Sequence, residues 1–180
     1  MTSYAALRVP ATMWAFRRRI ARKRFAGPSL ARLTIMKLTK IVVGIDGSPR
    51  SIDVLAAARE LAERSQARLV LVHAVSLPAG VPPEYYVYPP EKMPEILERD
   101  ARKLLEGYTR DLPRDLVSAL RPRVGTAWNT LCSVARDEQA ELIVIGSHGY
   151  GGIDRLLGTT AARVVNHADC SVLVVRPART

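Results

Sequence analysis

From residue 40 onward, short apolar runs alternate with longer segments whose apolar residues recur at spacings of three and four. The short runs are Ile41 to Ile45, Leu69 to His73, a weaker Val117 to Val124, Leu142 to Ile145 and Val172 to Val175. Most are apolar at successive positions, which predicts strands buried on both faces, as in a parallel sheet covered by helices on either side. After the first run, Ile52, Leu55, Ala58 and Ala62 fall on one face of a helix expected over Ser51 to Arg64, with Asp53, Arg59, Glu60 and Glu63 elsewhere. Ser48 is its expected N-cap and Pro49 its first residue, a place where a missing N–H costs nothing. Leu97, Ala101, Leu104, Leu105 and Tyr108 make a second helical face, and Leu131, Val134 and Ala135 a third. Ala161, Val164 and Val165 make a fourth, within Thr159 to His167. This alternation predicts the α/β class, with crossover helices joining five parallel strands in a doubly wound sheet.

One segment breaks the rhythm. Ser76 to Pro94 holds six of the twelve prolines together with Tyr85, Tyr86 and Tyr88, and is expected to be a loop, either a lid or interaction surface or a plain surface connection.

A length of 180 residues suits one well-buried core, so a single domain is expected. The net charge of +10 would suggest a nucleic-acid or membrane surface if it were spread along the chain. Instead, residues 1–35 carry eight basic side chains and no acidic one, leaving 19 basic against 17 acidic, a net of +2, for residues 36–180. The basic extension therefore says little about what the domain recognises. A start of translation at Met36 is one explanation for it; a transit peptide or a basic arm for nucleic acid or anionic lipid are others. The arginines at 17–19 are followed by more basic residues rather than by the apolar stretch of a secretory signal. No run approaches the roughly 18 apolar residues of a membrane span. Cys132 and Cys170 lack metal-ligand spacing and are expected to be buried free thiols, which points to the cytoplasm.

Candidate chemistry gathers where the fourth strand ends. Ile145 runs into Gly146-Ser-His-Gly149, and Gly158-Thr159-Thr160 opens the last helix. Glycines allow close backbone approach, and the N–H groups and dipole of a helix N-terminus attract phosphate. Turn-shaping glycines and capping threonines would give the same composition. A Walker A loop would need lysine in place of Thr159, and a dinucleotide fingerprint starting at Gly149 would need glycine in place of Asp154, so neither is present. Without that lysine, strong phosphoryl-transfer chemistry is not expected. No nucleophile with its base, carboxylate pair or metal cluster is evident near the loop, and no enzymatic activity is expected.

These residues resemble the universal stress proteins of the ATP-binding kind, whose signature is G-x2-G-x9-G-[ST]. Gly146 and Gly149 match its first two glycines, and Gly158-Thr159 its end, with eight residues rather than nine between Gly149 and Gly158. The opening Lys40 to Ser48 and the closing Asn166 to Arg176 are similar to that family too, so the likeness spans about residues 37–177. It implies strand order 3-2-1-4-5, which brings Asp46 opposite the glycine loop at the topological switch point. It further implies ATP, with Mg²⁺, held by Gly44, Asp46, Ala74, Ile145, Gly146, Gly149, Gly158, Thr159 and Thr160. Asp46 would meet ribose hydroxyls or Mg²⁺, or else serve only as a turn residue bonding its own backbone. His73, His148 and His167 are given no ligand role. The family likeness also implies a homodimer paired through Val172 to Val175, and a regulatory or stress-response role. An adenine-nucleotide hydrolase or adenylyl transferase of related fold, or an interaction module without nucleotide, remain as alternatives.

Overall fold

The computed structural model describes residues 37–76, 89–147 and 158–176. The basic extension, most of the Pro/Tyr-rich segment and the middle of the glycine loop, including His148 and Gly149, lie outside the described residues. Among the described residues, five strands and four α-helices follow one another: β1 (Lys40–Gly44), α1 (Ser51–Ser65), β2 (Arg68–Val75), α2 (Met93–Thr109), β3 (Val117–Val124), α3 (Ala127–Asp137), β4 (Leu142–Gly146), α4 (Thr159–His167) and β5 (Ser171–Val175). All strand pairs are parallel, in the order β3-β2-β1-β4-β5. This is the five-stranded doubly wound α/β sheet that the hydrophobic pattern predicts.

Alternate side chains of the same strands feed two hydrophobic clusters. Ile41, Val43, Leu69, Leu71 and Val144 pack with Val54, Leu55, Ala58 and Ala62 of α1 and Leu105 of α2. Their neighbours Val42, Val70, Val72, Ile143 and Ile145 pack with Leu131 and Val134 of α3 and Ala161 and Val164 of α4. Each large aliphatic side chain so removed from water contributes about 1.5–3 kcal/mol. Because β1 and β4 are neighbours, with Val43 beside Val144, their carboxyl ends open side by side. The chain leaves β1 toward β2 on one side, while β4 continues to β5 on the other, which leaves a crevice between them.

Several local expectations are corrected. Ile52 is 65% exposed, whereas Ser51 and Val54 are buried. The inward face of α1 therefore runs through 51, 54, 55, 58 and 62, and Ile52 lies about 100° away from Ser51. The Pro/Tyr-rich loop ends earlier than expected: Pro90–Lys92 form a 3-10 turn and α2 already begins at Met93, with Pro94 in its first turn. Cys132 is buried, but Cys170 is only half-buried. Burial pushes both thiols above their ordinary range. The weaker third strand is a sheet edge, where Pro122 needs no partner for the N–H it lacks. Among the described residues no helix is long and apolar enough to cross a membrane.

Candidate functional site

The last tie of β1 to the sheet is the Ile45 N–H donated to the Val72 carbonyl at 2.9 Å. His73 Nδ1 lies 2.6 Å from the Ile45 carbonyl oxygen; since a carbonyl can only accept, that nitrogen carries the proton. His73 is thus a brace for the strand end. His167 is also occupied structurally, its ring centroid 5.0 Å from that of Trp128.

Beyond Ile45 the chain turns around the Asp46 carboxylate. Asp46 Oδ1 accepts the Ser48 N–H at 2.9 Å and the Ser51 hydroxyl at 2.7 Å, while the Asp46 N–H donates to Ser51 Oγ at 3.2 Å. Gly47, between them, has φ +78°, a conformation that side chains resist. A further bond from the Ser51 N–H to the Ser48 carbonyl closes the turn at 3.0 Å. The helix starts at Ser51 as expected, and these bonds explain why its cap is not the one the sequence suggests. Asp46 captures the backbone N–H of Ser48 and the hydroxyl of Ser51, and Arg50, already helical at φ −69° and ψ −18°, becomes the N-cap. The Ser48 hydroxyl, expected to cap α1, is buried and makes no hydrogen bond. Burial alone would raise the Asp46 carboxyl, but the hydroxyls of Ser48 and Ser51 and the backbone N–H groups of Ser48 and Asp46 outweigh it. The carboxyl is held below its ordinary range and is ionised at neutral pH. Ser48 Oγ favours that charge by proximity, although it stands outside hydrogen-bonding geometry.

The facing wall comes from β4 and α4. Ser147 donates its N–H to the Val175 carbonyl at 2.9 Å, and Gly158 donates to the Ser147 carbonyl at 2.8 Å. The ends of the glycine segment are therefore joined to each other and to β5. Gly158 is the N-cap of α4, with no side-chain cap bond, so the first-turn amides of that helix lack an intrahelical partner.

Between these walls lies a cavity of about 260 Å³. Of the residues assigned from sequence, Gly44, Asp46, Ala74, Ile145, Gly146 and Thr160 line it. Gly158 and Thr159 stand at the mouth of α4 without being part of the lining, and Gly149 is outside the described residues. Gly44 earns its place by shape: a Cβ there would lie 3.0 Å from Ile145 Cγ2 and 3.2 Å from Leu131 Cδ2. The lining also includes Arg50, Ser51, Val54, Val72, Ala127 and Leu131, none assigned from sequence. Val72, Ala127 and Leu131 give it an apolar side; Asp46, Arg50, Ser51 and Thr160 give it a polar one. Its size is just under the roughly 300–1,000 Å³ of small-molecule sites. Such a lining offers an apolar wall with polar groups along one side. Among the described residues no three His, Cys, Asp or Glu side chains converge to hold a metal ion, so a cation here would need ligand oxygens as well as Asp46.

A doubly wound parallel sheet with a mainly apolar, partly polar cavity at its switch point defines the class of open α/β domains whose crevice is the usual place for a ligand. The particular family follows from comparison: residues 37–176 match the model of the universal stress protein family, and the chain belongs to that family. It is 32% identical over 143 residues to universal stress protein A homolog 1 of Coxiella burnetii, covering 78% of this chain and 97% of that relative. A universal stress protein of Thermus aquaticus is 34% identical over 140 residues, covering 76% of this chain and 97% of the relative. Among solved structures, a universal stress family protein from Burkholderia pseudomallei superposes with TM-score 0.56 at 30% identity, over 79% of this chain and 98% of that one. UspA from Lactobacillus plantarum gives TM-score 0.60 at 25% identity, over 78% and 99% of the two chains.

Proposed function

We propose that this protein binds ATP in the cavity between β1 and β4 and acts as a regulatory or stress-response factor in the cytoplasm, by binding rather than by catalysis. The observation that carries the reading is the placement of Asp46 and of the α4 N-terminus on opposite sides of one mainly apolar cavity. The base fits the apolar side near Val72, Ala74 and Leu131, with main-chain groups at the end of β2 to recognise its edge. Asp46, ionised and a hydrogen-bond acceptor only, suits ribose hydroxyls and repels phosphate. Phosphates then fall to Gly146, Gly149, Gly158, Thr159 and Thr160, where free amides and the dipole of α4 favour anions. Mg²⁺ would accompany the phosphates and supply charge neutralisation. In keeping with a nucleotide in this fold, a universal stress protein of similar architecture, 23% identical with TM-score 0.58, was crystallised in complex with cAMP. The homodimer is proposed through Val172 to Val175: β5 is an edge strand, its Leu173 is 37% exposed, and pairing would cover both.

The test is mass spectrometry of nucleotide released from protein purified without added ATP, joined to calorimetric titration with ATP·Mg²⁺. Bound adenine nucleotide and saturable binding are expected. No released nucleotide and no heat of binding would leave an interaction module, and steady conversion of ATP to AMP would make the protein an enzyme.

A further inference from the structure

Ser51 is 2% exposed, is the first residue of α1 and forms part of the cavity wall. A serine there would ordinarily be put down to helix capping. Its bonds say otherwise. The hydroxyl spends its only proton on Asp46 Oδ1 at 2.7 Å and accepts the Asp46 N–H at 3.2 Å, closing a ring between the end of β1 and the start of α1. No helix amide is served by it, and no proton remains for a ligand. The Ser48 N–H goes to the same carboxylate oxygen at 2.9 Å. The bonds from Ser48 and Ser51 thus both fall on Oδ1, which restrains the rotation of the carboxylate and turns Oδ2 away from these two partners.

We infer that Ser51 is a positioning residue: without touching the nucleotide, it holds the Asp46 carboxylate so that Oδ2 receives the ribose hydroxyls. The inference rests on the nucleotide reading above and adds to it the source of discrimination between ribose and sugars lacking those hydroxyls. A carboxylate free to rotate would have to be ordered at each binding event, and the cost would appear only for ligands that use it.

The experiment compares ATP with 2′,3′-dideoxy-ATP on wild type, Ser51→Ala, Asp46→Ala and the double variant, by calorimetry in the presence of Mg²⁺. For Ser51→Ala a loss of about tenfold in ATP affinity is expected, with dideoxy-ATP affinity unchanged. In the Asp46→Ala background the same Ser51 substitution is expected to change neither, because there is no carboxylate left to position. Ser51→Thr, which keeps the hydroxyl, should recover most of the preference for ATP. Equal losses for both nucleotides, or the same loss with and without Asp46, would mean that Ser51 acts through the helix start or a metal, and would overturn the inference. An unchanged preference in Ser51→Ala would overturn it as well, leaving the nucleotide reading intact. A wild-type protein that binds neither nucleotide overturns the nucleotide reading first and this inference with it.

Discussion

At the amino-terminal end of β1 and β4, Glu141 receives the N–H groups of Thr39 and Lys40 at 3.0 and 2.9 Å and the Thr39 hydroxyl at 2.6 Å. Nearby, Glu138 takes Lys40 Nζ at 2.9 Å on one oxygen and the Arg121 guanidinium at 2.6 and 2.9 Å on the other. At the carboxyl end of the same two strands, Asp46 takes the Ser48 and Ser51 bonds on one oxygen and Ser48 buries a hydroxyl that bonds nothing. Both ends have backbone leaving a parallel sheet and carboxylates to receive it. One end spends both oxygens of its acidic groups on internal partners; at the other the Ser48 and Ser51 bonds share a single oxygen. A polar group left incompletely satisfied costs stability, and on the nucleotide reading proposed above the end that bears the cost is the one that would gain a ligand.

Substitutions at the two ends should therefore separate binding from stability. The largest expected effect is on binding. Asp46→Ala should weaken ATP by about 30- to 100-fold, the worth of hydrogen bonds to a charged group, measured by calorimetric titration. Next comes stability. Glu141→Ala orphans two backbone N–H groups and should lower the free energy of unfolding by about 1–3 kcal/mol in urea titration. Its ATP affinity should stay within about twofold of wild type, since distant sites act independently. Should Glu141→Ala weaken ATP as much as Asp46→Ala does, the division between the ends would fail.

This division also marks how far the sequence could be read. Strands β1, β2 and β4 were legible because burial on both faces leaves unbroken apolar runs, and the helices because their inward faces repeat at three and four. The cavity was half legible. Its glycines and Asp46 lie next to strand ends and carry a recognisable signature. Val72, Ala127 and Leu131 look like ordinary core residues, and only the strand order brings them to one wall. Ser51 was missed because a serine on a helix face signals exposure, whereas here a carboxylate five residues earlier holds it inward. That same carboxylate displaced Ser48 as the cap of α1, a competition between side chain and cap that neither propensity nor spacing expresses.

Acid should act on both ends in the same direction. The bond to Lys40, aided by Arg121, holds the Glu138 carboxyl below its ordinary range against the effect of burial. Burial raises Glu141, but Thr39 and the backbone N–H groups prevail and the net displacement is again downward. A carboxyl whose folded pKa is depressed contributes stability that is fully present above its unfolded value, about 4.3 for glutamate, and is lost as pH falls through the folded value. Unfolding free energy should thus be flat near neutrality and decline below about pH 4.3. Glu138→Gln should make that decline shallower, with a smaller loss at pH 7 than Glu141→Ala, because Lys40 and Arg121 remain partly exposed to water. A variant whose acid slope matches wild type would show that Glu138 has no part in the decline.

The smallest effect is expected at Ser48, and its sign carries the information. Removing one partner of a made hydrogen bond destabilises, but removing a buried hydroxyl that has no partner relieves a desolvation penalty. Ser48→Ala should therefore raise the stability of the ligand-free protein by up to about 1 kcal/mol, less whatever the hydroxyl contributes by favouring the Asp46 charge. Thermal unfolding without nucleotide reads this directly. At the amino-terminal end the corresponding removal of a polar side chain, Glu141→Ala, lowers stability, so the two ends should answer like changes with opposite signs. A clear loss of stability in ligand-free Ser48→Ala would mean that this hydroxyl is already satisfied, and the carboxyl end of the sheet would then be as fully bonded as the amino end.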